Sequence, residues 1–285
     1  MWKKSVTTIT ALCLFGLGSA CVTVKQSYDS IPGPSYSGNY APGTPEFEGT
    51  LRAVSYNIHW AEKLETAVDD LGSMNALKDA DVILLQEIHT SAADAIARRL
   101  NYNYVFYPTA MYRQSLEFGN AVLSRWPIKE HWKVVLPHEN PLRKMHRIAV
   151  LSVLEVGGQE VLVGNVHTHT LLFGNEVRLD QMEHVAENLD ERFSFGIVGG
   201  DFNTDSEYIV REMERIFRRS GYVRATGDIG PTHKQDLLGL VDLELDHLFV
   251  KGMEVVSAGK AEDAAASDHL PIWLSVKLAH PGGKR

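Results

Sequence analysis

The stretch "HRIAVLSVLEVGGQEVLVGNVHTH", residues 146–169, decides the fold. Two alternating apolar runs meet at Gly157-Gly158, a favoured two-residue connection between antiparallel strands. The second run stays apolar and then ends on His167 and His169.

Working outward, "LRAVSYNIHW" (51–60), "DVILLQEI" (81–88) and "GNAVLSRWPI" (119–128) read as strands. Residues 62–78 have helical spacing, and "SAADAIARRL" (91–100) reads as a helix with Ser91 as its N-cap. Beyond the hairpin come a helix at 176–192, a short buried strand "FGIVGGDFN" (195–203), a helix at 206–219 and strands at 243–250 and 271–278. Hairpins mixed with helices predict α+β class, with sheets covered by helices.

Several of these runs are apolar and then end on polar side chains. One ends at Asn57 and His59, one at Glu87, one at His167 and His169, and one at Asp201 and Asn203; Asp268 and His269 precede the last strand. A single polar ending is ordinary solvation of a loop. Five endings drawn from Asn, Asp, Glu and His point to one rim of the sheets as a site. Side chains two apart in a strand share a face, which pairs Asn57 with His59 and Asp201 with Asn203.

The motifs "YNIHW", "LLQE", "GNAVLSRWPI", "VGNVHTH", "GGDFNTD", "LDHLFV" and "SDHLPI" stand in the order found in the endonuclease/exonuclease/phosphatase superfamily, the deoxyribonuclease I-like metal-dependent phosphoesterases. The chain resembles that family across roughly residues 50–278, and 49–278 is the expected catalytic domain. The resemblance implies a two-sheet, largely antiparallel β-sandwich flanked by helices. It also implies hydrolysis of a phosphate ester, most simply a phosphodiester, by in-line attack of water with Mg²⁺ (or Mn²⁺) bound. Glu87 is then a hard oxygen ligand with Asn57 beside it, and Asp268 a second metal ligand. Asp201 orients and deprotonates the water. Asn203 donates to a non-bridging oxygen. His269 contacts the phosphate, its ring oriented by a carboxylate. His167 meets phosphate or leaving group. Asn57, Arg147 and His169 are candidate substrate contacts, with an exposed strand charge the alternative for Arg147 and a structural role the alternative for His169. His59 stands where several relatives carry an acid. Arg178 and Gln181, at i and i+3, read as a solvated helix face. Tyr107 and Tyr112 line a groove or pack in the core.

The ends read differently. "MWKKSVTTITALCLFGLGSAC" has two lysines, a short apolar run and small residues before Cys21. That is the layout of a signal peptide over 1–20, and it is similar to a bacterial lipoprotein signal with Cys21 as the lipidated first residue. Cys13 leaves with the signal, so Cys21 has no partner for an intrachain disulfide. The expectation is a monomer in the cell envelope, anchored to a membrane through Cys21. The alternative is a secreted or periplasmic soluble protein cleaved after Ala20. Residues 21–48, rich in Pro, Gly, Ser and Tyr, read as a flexible tether, and 279–285 as a loose tail.

Residues 1–20 contain Lys3 and Lys4 and no acid, so their removal takes the formal net charge from −8 to −10. That disfavours nonspecific binding to nucleic acid, which relies on a basic surface. The expected partner is a phosphoester, as a lipid headgroup, a small molecule or a nucleic acid. A nuclease and a non-catalytic binding module on the same fold are the alternatives. The "HTH" of a binuclear zinc hydrolase lacks its further ligands here.

Asp-His occurs twice, at 246–247 and 268–269. The first lies in a strand, where neighbouring side chains face opposite ways, so only one of the pair can reach a given site; the family resemblance implies that it is Asp246, which leaves His247 structural. The second lies in a loop. The expectation is that the Asp246 carboxylate bonds the ring of His269 at about 2.6–3.2 Å.

Overall fold

The hairpin forms, and a sandwich is built around it. The computed structural model describes residues 24–31, 33–112, 115–234 and 243–278; the expected signal, Cys21 and the tail lie outside them. Strands run in chain order β1 (Val24–Ser27), β2 (Tyr36–Asn39), β3 (Thr50–Asn57), β4 (Val82–His89), β5 (Asn103–Tyr112), β6 (Glu117–Ser124) and β7 (Ile128–Val135). Then come β8 (Ile148–Val156), β9 (Gln159–His167), β10 (Phe195–Asp201), β11 (Val223–Arg224), β12 (Asp246–Lys251), β13 (Met253–Lys260) and β14 (Ile272–Leu278). The helices are α1 (Leu64–Ser73), α2 (Thr90–Leu100), α3 (Asn175–Glu187) and α4 (Glu207–Arg219).

One sheet has the order β1-β5-β6-β4-β3-β14-β13, with β2 also on β5; the other has β11-β12-β10-β9-β8-β7. The β3/β4 and β9/β10 pairs are parallel and the remaining ladders antiparallel. The turn between β8 and β9 uses Gly157 at φ +55° and Gly158 at φ +79°, values glycine adopts without steric cost.

The apolar strands are apolar on both faces because both faces are covered. In β4, Val82 and Leu84 face the core between the sheets, while Ile83 and Leu85 face the layer under α1 and α2. In β9, Val161 and Val163 enter the inter-sheet core, while Leu162 and Val166 meet α3 and α4. Two-sided burial holds the strands in one register, since a one-residue slip would exchange two differently shaped surfaces.

Three expectations change. Residues 24–48 are not a free tether: β1 and β2 pair with β5, Tyr28 is buried, and the hydroxyls of Tyr28 and Tyr36 donate to Glu117 Oε1 at 3.1 and 2.7 Å. An open strand edge supplies unpaired backbone groups that a Pro- and Gly-rich segment can still satisfy in short pieces. The N-cap of α2 is His89, whose Nδ1 accepts from the Ala92 N–H, rather than Ser91. Finally, β5, β7, β11 and β13 are strands for which the spacing gives no expectation.

Candidate active site

The polar strand endings converge because register forces them to. Asp201, the last residue of β10, is paired directly with His167 of β9 on one side and Asp246 of β12 on the other. Asn57 arrives from the facing sheet, and its Nδ2 donates to Asp201 Oδ2 at 3.0 Å. The Asn203 backbone N–H donates to Asp201 Oδ1 at 2.9 Å. The ring nitrogens Nε2 of His167 and His269 lie 3.5 and 3.8 Å from Asp201 Oδ2.

The backbone is bent to aim these groups. Gly200 has φ +143°, and a Cβ there would sit 1.9 Å from the Val166 carbonyl oxygen, so β10 can lie this close to β9 only with glycine before Asp201. Glu87 has φ +53° at a bulge in β4, where pairing with β6 slips between Leu85 and Ile88. A bulge turns a side chain out of the alternation of its strand. Asn203 has φ +50°, a conformation Asn tolerates better than most residues. His59, Trp60 and Ala61 all have positive φ, which swings His59 to the rim while Trp60 packs on Phe118 and Tyr112.

The two Asp-His pairs meet. Asp246 Oδ2 lies 2.9 Å from His269 Nδ1 and also accepts the Thr232 hydroxyl at 2.7 Å. Burial alone would lower the His269 pKa, but Asp246, Asp201 and Asp268 push it up to about 10, so its ring carries two protons at neutral pH. Burial raises the Asp201 pKa to about 6, against the opposing effects of His269 and Asn57.

His247 points elsewhere. Its Nε2 lies 2.7 Å from Thr204 Oγ1 and its Nδ1 3.3 Å from Arg224 Nη1. Arginine can only donate, so Nδ1 accepts and Nε2 carries the proton. Burial, then Arg224, lowers its pKa to about 3.

The same logic assigns His167. Arg147 Nη1 donates to His167 Nδ1 at 3.2 Å, which leaves Nε2–H facing Asp201 and Glu87 Oε1, the latter at 3.8 Å. Burial, then Arg147, holds this histidine neutral, well below its usual pKa. Arg147 is itself buried, so it is neither an exposed strand charge nor a side chain open to substrate; it sets the ring of His167. His169 is buried and donates Nε2–H to the His138 carbonyl at 2.8 Å, which commits it to holding two loops together instead of touching substrate. Arg178 and Gln181 are fully buried, not solvated: Arg178 reaches Asp205 Oδ2 at 2.7 Å, and Gln181 accepts the His169 backbone N–H and donates to the Pro137 carbonyl. Helix spacing could place them on one face but could not show that loops cover that face. Tyr112 is core, packed with Phe118 and Met145.

For a metal, the donor set fits at Glu87 and Asn57: a carboxylate that accepts no hydrogen bond among the described residues, next to an amide oxygen. Asp268, the expected second ligand, is paired with two histidines. His59 Nδ1 lies 3.2 Å from its Oδ1 and His233 Nε2 3.6 Å from its Oδ2. Burial opposes ionisation there, but His233, His59 and His269 hold the carboxyl well below the usual range. Two further groups could hold an ion by geometry: Asp201 with Asp246 and His269, and His233 with Asp268 and His269. Sequence reasoning missed Thr232 and His233, which sit in a turn-rich segment with no period to mark them.

Comparison with known proteins agrees with this fold. A UPF0294 protein of Vibrio parahaemolyticus is 27% identical over 205 residues, 70% of this chain and 69% of its own. D. rerio TDP2 complexed with single strand DNA product has a similar fold, with TM-score 0.65 and 15% identity over 81% of this chain and 100% of that one. So has the mannosyl-6-phosphatase of Bacteroides thetaiotaomicron, with TM-score 0.60 and 19% identity over 79% of this chain and 99% of that one. The family model described as endonuclease/exonuclease/phosphatase matches residues 54–269, and the chain belongs to that family.

Proposed function

We propose that this protein is a divalent-metal-dependent phosphodiesterase that hydrolyses its substrate by in-line attack of water. The observation that carries the reading is Asp201: a buried carboxylate with a raised pKa, surrounded by Asn57, His167 and a doubly protonated His269. Raised carboxylate and histidine values side by side are what acid–base work requires.

Asp201 takes the proton of the attacking water. Its Oδ1 is held by the Asn203 amide and its Oδ2 by Asn57, so the carboxylate cannot rotate away. His269 donates Nε2–H to a phosphate oxygen, with Asp246 fixing the opposite nitrogen. His167 offers a neutral Nε2–H on the other side, directed by Arg147. Asn203 supplies a side-chain donor to a non-bridging oxygen. Glu87 and Asn57 would hold the metal, Mg²⁺ or Mn²⁺, whose charge offsets that developing on the phosphate and leaving-group oxygens. Asp268 acts through His59 and His233, orienting two rim imidazoles towards the substrate.

Hydrolysis of bis(p-nitrophenyl) phosphate with Mg²⁺ or Mn²⁺ tests the reading. Asp201→Ala should lose on the order of 10²–10⁴-fold in kcat, the usual worth of a positioned general base. The acid limb of the wild-type profile should fall near pH 6, where Asp201 takes up a proton. Absence of metal-dependent turnover of this diester, or of p-nitrophenyl phosphate, would leave a binding module. A surface tether through lipidated Cys21 belongs to the same proposal; incorporation of labelled palmitate should be lost in Cys21→Ser.

A further inference from the structure

We infer that the mouth of the active site is the membrane-facing end of the domain, and that its substrate is the phosphodiester of a phospholipid headgroup. This rests on the phosphodiesterase reading above and names its substrate class.

The first observation is where the N-terminal segment lands. Val24, the first residue of β1, pairs with Tyr112 and packs in the cluster of Tyr112, Phe118, Met145 and Trp60. That cluster forms one wall of the site: Phe118 lies near His167 in a tilted pair, at 6.5 Å between ring centroids, and Arg147 lies over the Phe118 ring at 5.9 Å. Cys21 precedes Val24 by three residues. Three residues span at most about 11 Å even when fully extended. Chain length therefore keeps any lipid on Cys21 within that reach of Val24, and the strands β1 and β2 remove the slack that a free tether would have given.

The second observation is independent of Cys21. Among the described residues, the two most exposed large apolar side chains are Leu142 and Leu172, at 83% and 70%. They stand on the two loops that His169 and Gln181 lock together, His169 through the His138 carbonyl and Gln181 through the Pro137 carbonyl and the His169 amide. Those loops end at Arg147 and begin at His167, so both leucines sit on the rim of the site. Two leucines this exposed, on neighbouring loops held in place by a buried polar network, supply the apolar contact that the inference requires.

Third, the charge beside them suits anionic headgroups. Arg143 and Lys144 follow Leu142, on a chain whose net charge is −8, and Lys144 makes a solvent-exposed pair with Glu139. An apolar tip flanked by cations is the composition that enters the headgroup region of an anionic bilayer. A nucleic-acid groove would instead present aromatic faces and a run of cations at these tips.

The test reconstitutes the full chain into vesicles of phosphatidylethanolamine and phosphatidylglycerol containing brominated acyl chains. A bimane is attached at Leu142→Cys, Leu172→Cys or Gln159→Cys. Gln159 is exposed and opens β9 at the end opposite His167. Wild type carried through the labelling gives the background. Quenching at 142 and 172 but not at 159 is expected. Leu142→Glu/Leu172→Glu should lower hydrolysis of the vesicle phospholipid at least tenfold, while turnover of bis(p-nitrophenyl) phosphate stays within twofold. Equal quenching at all three positions, or none, overturns the inference. So does cleavage of a single-stranded oligonucleotide in the absence of phospholipid hydrolysis. Failure of wild type on the soluble diester would strike the phosphodiesterase reading instead, and quenching would still report which end meets the bilayer.

Discussion

Asp246-His247 and Asp268-His269 are the same dipeptide in two backbones, and the backbone alone assigns their roles. In β12 the alternation of a strand sends Asp246 into the site and His247 into the layer beneath α4, against Thr204 and Arg224. In the loop before β14 no alternation applies, and Asp268 and His269 both stay at the site, one on the rim and one buried. The consequence for the two histidines is opposite. His269, facing three carboxylates, is raised to about 10, whereas His247, beside Arg224 and out of water, is lowered to about 3. Identical chemistry in the chain becomes a cation in one place and a neutral packing group in the other.

The largest expected break in the comparison is at His269. His269→Ala should lower kcat on the diester by about 10³-fold, since it removes the charged donor facing the phosphate. Next is its partner: Asp246→Asn should cost roughly 10–100-fold, the range seen when a group that orients a catalytic ring is lost. The same variant lowers the pKa of His269, so the alkaline limb of the pH profile should move to lower pH. A variant that loses turnover without that displacement would make Asp246 merely structural. His247→Ala should leave kcat within about threefold yet destabilise the fold by about 2 kcal/mol, as expected when a buried hydrogen-bonded ring is removed. Chemical denaturation reads the second effect, and a parallel loss of activity per folded molecule would return His247 to the site. His247 also predicts acid lability. The unfolded ring protonates near 6.5 and the folded one only near 3, so this stability is complete above pH 6.5 and drains as pH falls towards 3. The smallest effect is expected at His233→Ala, a few-fold rise in KM through Asp268, measurable on the soluble diester.

Much of the site could be seen in the sequence, because strands that run apolar and end on Asn, Asp, Glu or His must deliver those side chains to one edge. Asn57, Glu87, His167, Asp201, Asp246 and His269 all reach it. What could not be seen involves residues whose environment comes from distant chain. Arg147 and Arg178 carry charges that composition places in water, yet both are buried, because His167 and Asp205 wait for them across the fold. His169 shares a strand face with His167 only as far as the strand lasts; two residues past β9 the loop turns it to the His138 carbonyl. The tether reading failed for a related reason: a Pro- and Gly-rich segment has no period of its own, and its two short strands exist only because β5 offers an edge.

The sequence by itself determined the hairpin, the strands that carry the site, and the side chains that stand at their ends, since alternation and turn chemistry are local properties. Only the tertiary structure decided which of those ends neighbour one another, and hence which histidine is charged. A pKa depends on burial and on charges a few ångströms away, and those charges come from residues far apart in the chain: Asp201 and Asp246 around His269, Arg147 against His167, Arg224 against His247.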